Sequence, residues 1–180
     1  MMTNTNLFFA IYNLSRQIPT LDTLMVFGAV QLIFLTGFTA AVALIIQRKM
    51  KILLFLFLSI LFSFLLVKLI NLFSYFPRPF IVFPITSLIS HSNTSSFPSL
   101  HTTVAFSLVF VFIFLKHKLM PFFIFAAFWI ALARIYVGVH FPLDILGGIL
   151  TGLIGAFLAW QFSRLLLPQL LSRFSQKGRG

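Results

Sequence analysis

Three short segments carry side chains suited to chemistry on a phosphoryl group. They are Phe76-Pro77-Arg78-Pro79-Phe80, Phe97-Pro98-Ser99-Leu100-His101-Thr102, and the stretch from Arg134 through His140 to Asp144. A guanidinium presents its N–H groups as a planar fork that matches phosphate oxygens, and two of them can neutralise a phosphoryl group during transfer. Ser99 follows Pro98 and opens an apolar run, so it can cap a helix whose free N–H groups and positive dipole end favour an anion. His101 falls in that same first turn. Pro142 is suited to the first position of a helix, which puts His140 just before it and Asp144 in its first turn. Asp144 can then hold one imidazole nitrogen of His140, leaving the other free to attack phosphorus. Gly138 permits a close turn ahead of that pair. Asp22 and Asp144 are the only carboxylates in the sequence, too few for a two-metal phosphatase, so no metal and no other cofactor is expected. Taken singly, Arg78 could touch lipid headgroups, Arg134 could snorkel to the interface, and His140 with Asp144 could be a capping pair. Their coincidence at one membrane face favours a site.

The chain that must position these groups is apolar. Of its 180 residues 60% are hydrophobic and 8% charged, whereas a soluble domain carries about a quarter of its residues charged. So few charges leave no polar shell, which excludes a soluble globule and predicts an all-α bundle of membrane-crossing helices. The formal charge of +11 is assigned to topology and to anionic headgroups. A basic soluble module that would bind nucleic acid is absent, so no nucleic-acid partner is expected. With no cysteine there is no disulfide, thiolate metal site or thiol nucleophile.

Five spans are predicted, over residues 22–46, 52–73, 99–115, 121–137 and 142–166, preceded by a short interfacial helix over residues 4–15. Residues 1–20 lack the basic start and small-residue cleavage site of a secretory signal, so the first hydrophobic helix is expected to be retained. A polar, serine- and proline-rich loop covers residues 74–99, and a basic tail runs from Pro168 to Gly180. There is no repeat and no linker, which reads as one domain over residues 1–180. If the helices alternate, Arg48, Lys49, Lys51, Lys116, Lys118, Arg164, Arg173, Lys177 and Arg179 share one side. Arg16, Arg78 and Arg134 fall on the other, with Lys68 inside the second span. The cation-rich side is expected to be cytoplasmic, which places His91, His101, His140 and Asp144 at the outer face. His117 falls in a cytoplasmic loop and is expected at the surface. Ionisable groups near the membrane are costly and count as functional candidates.

These segments resemble the three signature motifs of the type-2 phosphatidic acid phosphatase superfamily. Arg78-Pro79, Pro98-Ser99-Leu100-His101 and Arg134…His140…Asp144 stand in the family's order and internal spacing, and the resemblance covers roughly residues 66–155. It implies that His140 is the nucleophile and forms a phosphohistidine. It also implies that Asp144 orients His140, that His101 protonates the leaving oxygen, and that Arg78, Ser99 and Arg134 hold the phosphate. Lys68 is grouped with the phosphate-binding residues, although it stands three residues ahead of the family's lysine position, which is Asn71 here. Leu100 replaces the family's glycine, and Ala133 replaces the serine before the motif arginine. Within the superfamily the chain is similar to the small bacterial undecaprenyl-diphosphate phosphatases. That similarity rests on Asn13 to Met25, on Tyr75-Phe76-Pro77-Arg78-Pro79-Phe80, and on Leu88-Ile89-Ser90-His91 leading to Ser99. It implies a polyprenyl or other lipid phosphate as substrate, a bacterial cytoplasmic membrane as location, and a link to bacitracin resistance. It also suggests a second-phosphate contact at His91. Sequence alone leaves other lipid phosphates, phosphotransfer to a lipid, or non-catalytic lipid binding or transport open, and leaves the oligomeric state undetermined.

Overall fold

With no water in a bilayer core to serve backbone groups, apolar runs must close their hydrogen bonds within themselves. Every regular element among the described residues is accordingly a helix. The computed structural model describes residues 2–165; the basic tail expected from Pro168 lies outside them, as does Leu166. In chain order the elements are α1 (Met2–Tyr12), α2 (Pro19–Val30), α3 (Leu32–Ile46), α4 (Met50–Phe73), α5 (Pro79–Val82), α6 (Leu100–Phe114), α7 (Met120–Tyr136) and α8 (Pro142–Leu165). Pro19, Pro79, Pro121 and Pro142 stand in first turns, where a missing N–H costs nothing because those donors have no helical acceptor anyway.

α4 and α8, at 24 residues each, are long and apolar enough to cross a bilayer. α6 and α7, at 15 and 17 residues, reach roughly 23 and 26 Å, somewhat short of a hydrocarbon core of about 30 Å. The first predicted span is corrected: it is two helices, α2 and α3, bent by 53°. The break falls at Gln31, whose carbonyl accepts from the N–H groups of Phe34 and Leu35. Two residues earlier the Ala29 carbonyl accepts from the Arg134 guanidinium at 3.0 Å. A side chain entering the backbone ladder is one of the few physical causes of a sharp bend. α1 is also more than a surface helix. Phe8 is fully buried, and the Asn4 side-chain carbonyl accepts from the Leu143 N–H at 3.0 Å, at the start of α8.

α8 lies between α4 and α6 and packs on both more extensively than any other helices pack on each other. Its inner face is a stripe of small residues. A methyl group at Gly152 would stand 2.7 Å from the Thr103 carbonyl oxygen, one at Gly148 3.0 Å from the Ser99 carbonyl oxygen, and one at Gly155 would collide with Ser63. In lipid, close approach of backbones through small residues replaces the hydrophobic drive that packs helices in water. The outward faces carry the large side chains instead: Phe34, Phe38, Phe57, Phe73 and Phe125 are each at least 60% exposed. A surface this apolar suits hydrocarbon rather than water.

Candidate active site at the α5, α6 and α8 helix starts

The site is built from three helix beginnings brought to one end of the bundle. Arg78 is the residue before α5, Ser99 the residue before α6, and His140 stands two residues before α8. Pairing between distant stretches fixes these loops. The Ser99 N–H donates to the Asp144 carbonyl at 3.1 Å, the Ser96 N–H to Phe76 at 2.8 Å, and the Leu88 N–H to Val137 at 3.0 Å. Gly138 takes φ +83°, and a side chain there would meet the Tyr12 ring at 2.9 Å. Only glycine fits both demands.

Arg78 is 4% exposed and fully engaged. Its Nε donates to the Thr94 carbonyl at 3.1 Å, Nη2 to the Ser95 carbonyl at 3.1 Å and to the Thr94 hydroxyl at 3.3 Å, and Nη1 to the Val139 carbonyl at 2.9 Å. Nη1 also lies 3.2 Å from His140 Nε2. A guanidinium has no lone pair to offer, so Nε2 must be the acceptor. In the neutral imidazole the proton then sits on Nδ1, which lies 3.5 Å from Asp144 Oδ2. Nδ1 faces Asp144, and the nitrogen pointing away from Asp144 carries the lone pair.

Burial, and after it Arg134 and Arg78, hold His140 well below the usual histidine range, so it is neutral at pH 7. Burial also draws Arg78 down to about 10, against the opposing pull of Asp144, so it keeps its charge at pH 7. His91, on the 74–99 loop, is held down mainly by burial; its ring stands edge-to-face with that of His140, centroids 6.3 Å apart. Its Nδ1 faces the Ser92 carbonyl at 3.1 Å, which makes Nδ1 the donor and leaves Nε2 as an acceptor.

Arg134 is 1% exposed, and only Nη1 is used, on the Ala29 carbonyl; its Nε and Nη2 have no partner among the described residues. A buried cation with unused N–H groups is costly unless an anion completes it. His101, partly exposed in the first turn of α6, has Arg134, His91 and Arg78 as its charged neighbours. The amides of Leu100, His101 and Thr102 have no helical acceptor at that end and add to the same field. The arrangement can therefore take a phosphate among two arginines, three imidazoles and a helix start.

Two expectations are corrected in detail. The Ser99 hydroxyl does not cap α6; it accepts from the Thr102 hydroxyl at 3.1 Å, while its carbonyl serves the Thr103 N–H. Lys68 is not brought to the cluster. It lies on the exposed face of α4 with its Nζ 5.4 Å from the Phe64 ring centroid, whereas the face that packs inward carries Ser59, Ser63 and Val67. Ser96 is a participant that the motifs did not single out. It is fully buried, and its hydroxyl donates to Asp144 Oδ2. Nothing in a loop containing Ser87, Ser90, Ser92, Ser95 and Ser96 distinguishes it beforehand.

Residues 52–167 match the PAP2 superfamily. The chain belongs to this superfamily. As a PAP2 protein it is a hydrolase acting on lipid phosphates and a bacterial membrane protein. Undecaprenyl-diphosphatase BcrC of Bacillus subtilis (strain 168) is 33% identical over 175 residues, covering 92% of this chain and 86% of its own. The crystal structure of Aquifex aeolicus LpxE superposes with a TM-score of 0.75 at 32% identity, over 88% of this chain and 95% of that one. The transmembrane PAP2-type phosphatidylglycerolphosphate phosphatase of Bacillus subtilis gives 0.67 at 26% identity, over 90% and 87%. This PAP2 chain is thus similar in fold and sequence to membrane phosphatases along most of its length.

Proposed function

We propose that this PAP2 phosphatase removes the terminal phosphate of undecaprenyl diphosphate, working without a metal through a phosphohistidine at His140. The observation that carries this reading is the buried Arg134, whose Nε and Nη2 are left without partners beside a neutral His140. The Nε2 lone pair forms a bond to the terminal phosphorus, and the bond from phosphorus to the bridging oxygen breaks. That oxygen keeps the electron pair and takes a proton from the His101 imidazolium, the form that the charge of the bound diphosphate stabilises. Arg78 turns Nη1 from His140 Nε2 to the incoming phosphate, which frees the lone pair, and with Ser99 and Arg134 it holds the phosphoryl oxygens, while Asp144 holds the imidazolium through Nδ1. A water then attacks phosphorus and gives its proton to His101. The N–P bond breaks, its electrons return to Nε2, and inorganic phosphate leaves. His91 is assigned to the second phosphate, to which its Nε2 donates once the ring is protonated beside that anion.

Beside Asp144 opens an apolar cavity of about 720 Å³, walled by Phe76, Phe97, Phe141, Leu146 and Leu150. It supports a long hydrocarbon tail next to the phosphate. The similarity to BcrC supports a polyprenyl diphosphate in particular, and with it a role in recycling the cell-wall carrier lipid and in bacitracin resistance. The likeness to the phosphatidylglycerolphosphate phosphatase keeps that lipid, with phosphatidic acid and lipid A, as the second reading. The protein is read as one domain with five crossings, α2 with α3 being one bent crossing. The site faces the periplasm or cell exterior of a bacterial cytoplasmic membrane.

The test is phosphate release in detergent with EDTA, from undecaprenyl diphosphate and each alternative lipid side by side. Undecaprenyl diphosphate is expected to give the highest kcat/KM, and His140→Ala to give none. A larger kcat/KM on another lipid would replace the substrate, and full activity in His140→Ala would remove the mechanism. Cysteines introduced at the exposed Ser92 and Lys116 check orientation, with only Ser92→Cys labelled from outside.

A further inference from the structure

The pairing of His140 with Asp144 is longer than the contact of His140 with Arg78 or of Asp144 with the Phe141 N–H. Nδ1 and Oδ2 stand 3.5 Å apart, at the outer limit of a hydrogen bond. Oδ2 is meanwhile engaged by two nearer donors, the Phe141 N–H at 2.7 Å and the Ser96 hydroxyl. The Ser96 oxygen itself lies 3.5 Å from His140 Nδ1, so it stands beside both members of the pair. Ser96 is fully buried and comes from the loop ahead of α6, whereas His140 and Asp144 come from the turn into α8. Its backbone N–H is bonded separately to the Phe76 carbonyl, so the loop does not need the hydroxyl to hold its course.

We propose that Ser96 is a positioning residue that bridges His140 and Asp144. Its hydroxyl accepts from Nδ1–H and donates to Oδ2, holding the ring with Nε2 toward the phosphate. The inference rests on His140 being the nucleophile. When Nε2 bonds to phosphorus the ring becomes cationic, and the Nδ1–H must then be held more strongly. A hydroxyl that both accepts from that N–H and donates to the carboxylate passes the stabilisation on without moving either partner. Groups behind a reacting imidazole fix its tautomer and orientation in this way. The charged groups that face the pair are Arg78 before α5, Arg134 on α7, His91 on the 74–99 loop and His101 on α6. Neither guanidinium can take the role, because both are donors only and Arg78 already meets Nε2.

Ser96→Ala, Ser96→Cys and Ser96→Thr are compared with wild type in purified full-length protein, on whichever lipid of the panel it hydrolyses fastest. Ser96→Ala is expected to lower kcat about 10- to 100-fold, the range for losing a group that orients a reacting ligand, with KM within about twofold. Ser96→Thr keeps the hydroxyl and is expected to recover most of the loss. Ser96→Cys matches the volume but donates weakly, and should fall between. In Ser96→Ala the acid limb of kcat/KM should move to higher pH, because the carboxylate has lost a donor to its charged form. Melting temperatures separate this from loop collapse. Equal turnover and an unchanged pH profile in Ser96→Ala would overturn the proposal, as would a loss of kcat in all three that follows the melting temperature. His140→Ala, run alongside, separates the two levels. Activity surviving there removes the nucleophile and this inference together, whereas loss there with an unimpaired Ser96→Ala removes this inference alone.

Discussion

Two buried histidines sit at opposite ends of the bundle, and they differ in what their surroundings leave undone. His117, 8% exposed in the turn after α6, has both ring nitrogens served. Nε2 lies 3.2 Å from the Gln47 side-chain carbonyl, and Nδ1 accepts from the Leu119 N–H at 3.2 Å. Its ring packs edge-on against Phe112, centroids 5.1 Å apart. His140 is as buried, but around it Arg134 keeps two N–H groups unused and a cavity opens beside Asp144. Both rings lie near cations and both are pushed below the ordinary histidine range by burial first. Neither burial nor charge separates His117 from the proposed nucleophile here. The unfinished hydrogen bonding does.

That contrast can be broken most directly by truncating each ring. His140→Ala should cut phosphate release by at least about a thousandfold, since removing a nucleophile removes the covalent route. His117→Ala should leave kcat per folded molecule unchanged. Equal losses in the two variants would show that the unfinished groups mark nothing. The next largest effect is expected at Arg134. Arg134→Ala removes the donors proposed to hold the transferring phosphoryl group and should cost about 10²- to 10³-fold in kcat. Lys68→Ala, on the exposed face of α4, should change kcat/KM less than about twofold. A steady-state comparison of the two cation variants checks this.

Acid sharpens the same comparison. His140, His91 and His117 all bind protons less readily when folded than the ordinary value near 6.5. Below about pH 6.5 the unfolded chain therefore holds more protons than the folded one, and stability falls as pH drops through that value. Melting temperatures should be lower at pH 5.5 than at 7.5. Orthovanadate, as a phosphate-like anion, should recover part of the difference in wild type and none in Arg134→Ala. The smallest effect is expected from His117→Ala at neutral pH. Leaving the Leu119 N–H without its acceptor should cost about 1–3 kcal/mol of stability, measured by thermal or denaturant unfolding.

The motif residues were legible because their chemistry is rare in so apolar a chain. Arg78, His101, Arg134, His140 and Asp144 stand out by type alone, and Pro142 located the helix start that sets His140 against Asp144. Three things were not legible. Lys68 and Asn71 differ by less than one helical turn, so which of them faces inward depends on the phase of α4 against α6 and α8. His117 looked like a surface residue because a short basic loop surrounds it, and only the return of Gln47 from α3 buries it. The break at Gln31 carries no proline, and the Arg134 side chain that meets the backbone beside it comes from some hundred residues away. The sequence displays local signals, whereas each of these depends on a partner from another helix.

The stripe of small residues on α8 makes chance replacement along that helix lopsided. Ile154, Phe157 and Leu158 on the outward side can exchange with other oily residues at little cost, so that side is free to drift. At Gly148, Gly152 and Gly155 even one added carbon has nowhere to go. An engineer randomising α8 should therefore expect survivors to differ along one edge and to agree along the other.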